Sequence, residues 1–258
     1  MLQRILTGIV GIFILLGATY LGGAVFLSAI LLIVFLGLLE FAGLLERKEV
    51  KLEIWLLVLA GLSFPVLAYF NIREFGAAVV FTTLAVGLLV APFREDQTPL
   101  FATAAVVFGS VYIGWSMSLM VALEMVASKY VFLSFLIVWA NDTAAYFVGA
   151  RLGRHKLWPK VSPKKSVEGA MGGLLATMAV LVAARGWLGV NVGNALLLGA
   201  LFSVTAQLGD FAESIMKRDA RVKDAGSILP GHGGILDRFD SLFFVLPLMY
   251  FLHIALAG

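Results

Sequence analysis

Polar residues are sparse along this chain and gather in a few clusters, so the apolar runs between them set out its architecture. From Ile5 to Leu39 there is no charged residue at all. Runs near 20 residues are long enough to cross bilayer hydrocarbon as helices. Cutting the chain at its charges, and at Gly22-Gly23, predicts about nine spans, over approximately 4–20, 22–43, 52–70, 74–92, 98–117, 130–150, 167–186, 193–217 and 238–256. Between 116 and 130 the run is interrupted by Glu124 and Lys129, where a short interfacial helix is the alternative. The first apolar stretch far exceeds the 7 to 15 residues of a secretory leader's core, so both N-terminal spans are expected to stay in place. The fold class that follows is an all-α, polytopic integral membrane protein.

Composition agrees with that pattern: 61% of the 258 residues are hydrophobic, 14% are charged, and mean hydropathy is +0.99. There is no cysteine, which removes disulfides, thiolate metal sites and cysteine nucleophiles together. With histidine only at 155, 232 and 253, a histidine-built metal site is not expected, and oxygen ligands point to a hard cation such as magnesium. Charge sets an orientation, because cytoplasmic loops collect Lys and Arg. The nine-span arrangement places all but Arg73, Lys129 and Arg185 of the 19 cations on one side. It puts the N-terminus in the cytoplasm and the C-terminus outside, with the loops 151–166 and 218–237 both cytoplasmic.

The chain carries no internal repeat and no soluble domain, so chemistry must be built from helix ends and those two loops. Residues 1–115 form an N-terminal set of spans, and 116–258 a C-terminal region where the polar residues concentrate. In the eighth span Gln207, Asp210, Glu213, Ser214 and Lys217 recur at three and four residues and share a helical face. Ionisable groups inside a span are costly and by default functional. The plain alternative for Glu213 is an ion pair with Lys217 at i, i+4, whereas Asp210 has no cation on its own helix within four residues. After this span come Lys223 and Asp224, then Gly231-His232-Gly233-Gly234, whose glycines either simply turn the chain or aim backbone amides at an anion. Asp237 and Asp240 open the last span three apart. One acid there would complement the helix dipole; two, with Asp210, suggest a cation held between carboxylates.

The sixth span contains Trp139-Ala140-Asn141-Asp142-Thr143, where the Asn-Asp pair either joins helices by hydrogen bonds or belongs to a polar site. The loop beyond it ends Ser162-Pro163-Lys164-Lys165-Ser166-Val167-Glu168-Gly169. Serine followed by proline reads as a helix start and would place both lysines at a helix N-terminus, an anion site. Anchoring to acidic lipid headgroups is the alternative for these cations. Gly169 and Gly173 form a GxxxG whose expected role is close helix packing.

Residues 214 to 240 resemble the signature of the phosphatidate cytidylyltransferases, the CDP-diacylglycerol synthases. The matching elements are Ser214, Lys217-Arg218, Lys223-Asp224-Ala225-Gly226, Leu229-Pro230-Gly231-His232-Gly233-Gly234 and Asp237-Arg238-Phe239-Asp240. WANDTAAYFVG at 139–149, SPKKSVEG at 162–169 and QLGD at 207–210 also look like that family, whereas 1–115 resembles it only in being apolar and helical. The resemblance implies a phospholipid-synthesis enzyme in the bacterial inner membrane, acting on CTP and phosphatidic acid with Mg2+. A second, monovalent cation and a homodimer are compatible with it, and nucleic acid is not an expected partner. The expected metal ligands are Asp210 and Asp237, then Asp240 and Asp142. Ser214, Lys217, Arg218, Lys223, Lys164, Lys165, His232, Arg238 and the amides of Gly233 and Gly234 are expected at phosphates, with Lys217, Arg238 and Asp240 nearest the reaction. A CTP-dependent lipid kinase is the alternative within enzymes, and an ion-coupled transporter using Asp142 and Asp210 the alternative outside them.

Overall fold

The computed structural model describes residues 2–93, 99–226, 228 and 233–257, with side-chain surroundings from 11 onward to 256. It consists almost entirely of helices: α1 (Leu2–Leu21), α2 (Gly23–Glu46), α3 (Ile54–Tyr69), α4 (Gly76–Val90), α5 (Pro99–Gly109), a π-helical turn (Ser110–Trp115), α6 (Ser116–Val126), α7 (Ser128–Leu152), α8 (Val167–Leu188), α9 (Val192–Asp219) and α10 (Leu236–Ala257). Among the described residues seven helical segments are long and apolar enough to cross a membrane, and two further apolar helices, Gly11–Leu21 and Ile54–Tyr69, are shorter. At 1.5 Å per residue the 16 residues of α3 reach about 24 Å, less than the roughly 30 Å of bilayer hydrocarbon.

Two expectations change. The fifth span does not stop near 117: α5, the π turn and α6 run on continuously as Pro99–Val126, so no separate interfacial helix occupies 116–126. The reason is burial all round. Met117, Leu119, Met120, Val121, Ala122 and Leu123 are all covered, and only the extended Ala127 ends the helix. The loop 151–166 holds an antiparallel hairpin, β1 (Lys156–Trp158) with β2 (Ser162–Ser166), instead of a helix start at Ser162.

The chain forms two compact units, Met1–Ser128 with Asp219–Phe239, and Lys129–Arg218 with Asp240–Gly258. The helix that begins at Pro99 runs on past 115 to Val126, and 219–239 packs with the N-terminal helices. In the first unit Phe26, Ile30, Val34 and Leu38 recur every four residues on α2 and are wholly buried. Leu38 meets Gly61 of α3, and a Cβ on Gly114 would lie 2.7 Å from the Gly61 Cα, so the π turn and α3 cross backbone against backbone. Lipid tails are as apolar as leucine, so it is this closeness of packing that holds such helices together.

In the second unit the GxxxG of α8 is used as expected. A Cβ on Gly169 would meet the Ala145 carbonyl oxygen at 2.8 Å, and one on Gly173 would meet Asn141 Oδ1 at 2.7 Å, both on α7. Lys129, at the start of α7, donates to the carbonyl of Trp187 near the end of α8, 2.9 Å away.

Candidate active site

In the second unit α9 is met by residues from four neighbouring elements. Asn141 of α7 is buried and central: its Oδ1 accepts from Ser203 Oγ at 2.8 Å and from Gln207 Nε2 at 3.4 Å, while its Nδ2 donates to Asp142 Oδ1 at 3.1 Å. Gln207 Nε2 also donates to the carbonyl of Ala170 on α8, 3.2 Å away. The Asn-Asp pair therefore does join helices, through Asn141, and that fixes Asp142 beside it. Asn141 was not among the expected site residues; its signal was an amide in the middle of an apolar span.

One turn further along α9, Asp210 does have a cation, brought from β2. Lys165 Nζ lies 2.7 Å from Asp210 Oδ2 and 4.0 Å from the centroid of the Phe211 ring, a cation-π contact. Ser214 Oγ donates to Asp210 Oδ1 at 3.4 Å. Glu213, fully buried, pairs with Lys217 four residues on, the simpler of its two readings. Arg218 Nε donates to the Val161 carbonyl at 3.1 Å and ties the end of α9 to the hairpin turn.

The hairpin is why the two lysines part company. Strand alternation turns neighbouring side chains to opposite faces, so Lys165 reaches Asp210 whereas Lys164 is exposed. Helix α8 begins only at Val167, with Ser166 as its N-cap accepting from Gly169 N at 3.1 Å. The lysines thus lie on a strand before the helix and do not occupy its first turn. Glu168 takes that position instead, accepting from the amides of Arg154 (3.0 Å) and His155 (3.2 Å), with His155 Nδ1 2.6 Å away. Arg151 and Arg154 are exposed.

Asp240 meets the same unit from α10. A Cβ on Gly209 would lie 2.6 Å from the Asp240 carbonyl oxygen and 2.9 Å from the Ser241 Cα, so only glycine permits this crossing, and it brings Asp210 and Asp240 onto adjacent backbones. The charges of Asp142, Asp210 and Asp240 lie close enough to act on one another, with Glu213 also near Asp240. Among the described residues ion pairs take Asp210 and Glu213, and Lys165 acts on Asp142 from further off.

The first unit contains the loop between α9 and α10. Asp237 Oδ2 accepts from the amides of Ala225 (2.9 Å) and Gly234 (2.8 Å), closing the loop on itself. Gly233 has φ +81°, a conformation that L side chains rarely adopt, and a Cβ there would press on Asp237 Oδ2 at 2.8 Å. The glycine turn does aim an amide at an anion, namely the chain's own Asp237. Lys223, Asp224 and Arg238 are exposed, and His232 lies outside the described residues. A cavity of about 470 Å³ opens beside the loop, lined by Leu39, Glu40 and Gly43 of α2, by Arg47 just past its end, and by Ala225 and Gly226. Glu40 was not expected either: it is buried, and its Oε2 accepts from Leu236 N at 2.9 Å.

Among the described residues no group of three acidic or histidine side chains closes around a metal. The donor set nevertheless suits magnesium, which keeps several waters and is held by one or two carboxylates together with substrate phosphates. The carboxylate oxygens of Asp142, Asp210 and Asp240 are donors of the kind such an ion takes.

Comparison with known proteins decides the family. Residues 2–256 match the model described as Cytidylyltransferase family. The chain belongs to that family. It is 37% identical to the phosphatidate cytidylyltransferase of Bacillus subtilis (strain 168), over 98% of this chain and 97% of that protein. The Staphylococcus aureus (strain COL) protein of the same name is 51% identical over 127 residues, 48% of this chain and 49% of that one. A Staphylococcus epidermidis counterpart is 50% identical over 128 residues.

Proposed function

We propose that this chain transfers the cytidylyl group of CTP to phosphatidic acid, forming CDP-diacylglycerol and pyrophosphate. The observation that carries this reading is the unbroken signature from Ser214 to Asp240 in a chain aligned along nearly its whole length with a protein of that activity. A phosphate oxygen of the lipid forms the new bond to the α-phosphorus of CTP, and the bond from that phosphorus to the β-bridging oxygen breaks. The nucleophile is already ionised, so no side chain need take a proton from it. The demand on the protein is electrostatic: two anions must approach, and pyrophosphate must leave carrying added charge.

In this reading Lys165, Lys217 and Arg218 meet phosphate oxygens around α9, with Ser214 as a hydroxyl donor and Lys164 further out. Lys223, Arg238, His232 and the amide of Gly233 do so around the loop, whereas the Gly234 amide is already taken by Asp237. When bound, Mg2+ would neutralise triphosphate charge; the carboxylates suited to hold it are Asp210, Asp240 and Asp142 in the second unit, with Asp237 the candidate in the first. Lys165 holds Asp210 until substrate phosphate offers it a second anion.

The setting is the bacterial inner membrane, with the polar segments and N-terminus on the cytoplasmic side where CTP is found. An odd span count, with α1 and α3 crossing as well, then leaves the C-terminus outside. Purified full-length protein given CTP, phosphatidic acid and magnesium is expected to yield CDP-diacylglycerol and pyrophosphate by mass spectrometry. A doubly phosphorylated lipid with CDP would mean a kinase, and no product a non-enzymatic role. Orientation is read separately from single cysteines in this cysteine-free chain: Arg154→Cys and Asp224→Cys should resist an impermeant thiol reagent in intact cells, and Asn191→Cys should react. The reverse pattern would overturn the cytoplasmic placement.

A further inference from the structure

We propose that helix α2 braces the signature loop, and that Glu40 is the positioning residue through which it does so. The proposal rests on the function inferred above for that loop and assigns a role to the N-terminal helices. Glu40 lies in the middle of an apolar helix and is 5% exposed. A carboxylate in that setting is expensive unless something specific is gained. What it meets is the loop, 196 positions away in the chain: Oε2 accepts from the Leu236 amide at 2.9 Å, with the Ile235 amide alongside.

Leu236 is the first residue of α10, so Glu40 caps that helix from another part of the chain and places negative charge at its positive end. The same carboxylate is flanked by two glycines of the signature. A Cβ built on Gly226 or on Gly234 would collide with Glu40, its Cδ lying 2.6 Å from either one. These glycines are therefore small because a carboxylate occupies the space, a reason distinct from backbone conformation. One of them, Gly234, also supplies an amide to Asp237. Displacing Glu40 thus displaces the residues that hold Asp237. A second tie runs from the turn just after α2, where Lys48 pairs with Asp219 at the start of the segment. The loop is fastened at one end to α2 and at the other to the turn that follows it, and the 470 Å³ cavity lies along the fastened face.

Glu40 is engaged by the loop's own backbone, so its loss should lower turnover through misplacement. Displacements of about 1 Å at a reacting centre cost on the order of 100-fold. Glu40→Ala is expected to lower kcat about that far with KM for CTP changed less than about threefold, and Glu40→Gln, which keeps the acceptor for Leu236, to recover at least tenfold of the loss. Hydrogen exchange needs no substrate and separates this inference from the assigned activity: the amides of Ala225 and Gly234 should lose protection in Glu40→Ala while those of α8 keep it. A double-mutant cycle gives a third reading. Gly226→Ala should be damaging in the parent protein and add little in Glu40→Ala, because the space has been vacated. Unchanged protection at Ala225 and Gly234, or additive effects of Gly226→Ala and Glu40→Ala, would overturn the brace even if the enzyme makes CDP-diacylglycerol. A parent protein without that activity but with the expected exchange and coupling would keep the brace and remove only the assigned reaction. Should Glu40→Ala not fold, Glu40→Gln and Gly226→Ala carry the same exchange comparison.

Discussion

The face of α9 and the signature loop hold their central acids in different ways. Around α9 each paired carboxylate is met by a side chain, Asp210 by Lys165 and Glu213 by Lys217. In the loop, Asp237 is met by backbone amides, and Glu40 likewise accepts from the backbone at Leu236. A side-chain pair can exchange one partner for a substrate anion at little cost, because a flexible lysine only has to swing. Backbone donors cannot leave without the loop refolding. The contrast assigns exchange to the helix-borne site and shape to the loop.

The largest effects should come from the helix-borne acids. Asp210→Asn and Asp240→Asn are each expected to reduce kcat by ~100-fold or more, the scale of losing one electrostatic contact to the reacting centre, in a protein that still inserts and folds. Near-normal CDP-lipid formation at saturating magnesium would remove the affected residue from the site. For Asp237→Asn the prediction has two parts, lost turnover and faster exchange at the Ala225 and Gly234 amides, since a charge-assisted hydrogen bond contributes about 1.5–3 kcal/mol. Lost turnover with unchanged exchange would make Asp237 a ligand without a structural role and dissolve the contrast.

The hairpin allows a finer test. Lys165→Gln should raise KM for CTP or phosphatidic acid by about tenfold, the equivalent of one charge-assisted contact, while Lys164→Gln, on the exposed face of the strand, should change it by no more than about threefold. Equal effects would return both lysines to headgroup anchoring. The smallest expected effect is at the exposed Lys48 and Asp219 pair, where Lys48→Ala should cost no more than about 1 kcal/mol of stability in a denaturation series. A larger loss would mean that this tie, and not Glu40, is the main fastening.

The helices were readable from the sequence because runs without charge are a strong, local signal. So was the GxxxG packing, which depends only on spacing along one helix. The hairpin was not. Ser162-Pro163 satisfies a helix-start rule, but proline is equally at home on an edge strand, and Ser166 with Glu168 two residues on forms the better helix start. Asp210 looked cationless because its lysine comes from a strand 45 positions earlier, beyond any helical spacing. Glu40 was missed although its signal was plain, a lone carboxylate inside an apolar run. Its meaning depended on a backbone amide at Leu236 and two distant glycines, none of which advertises a partner.

Which phosphorus of CTP reaches the lipid tests the account most directly. Purified protein is given phosphatidic acid, magnesium and CTP carrying one label on the α-phosphorus and another on the γ. The account predicts the α label in the lipid product and the γ label in released pyrophosphate, with both transfers lost together in Asp210→Asn. The γ label in the lipid, with the α label left in CDP, would contradict cytidylyl transfer.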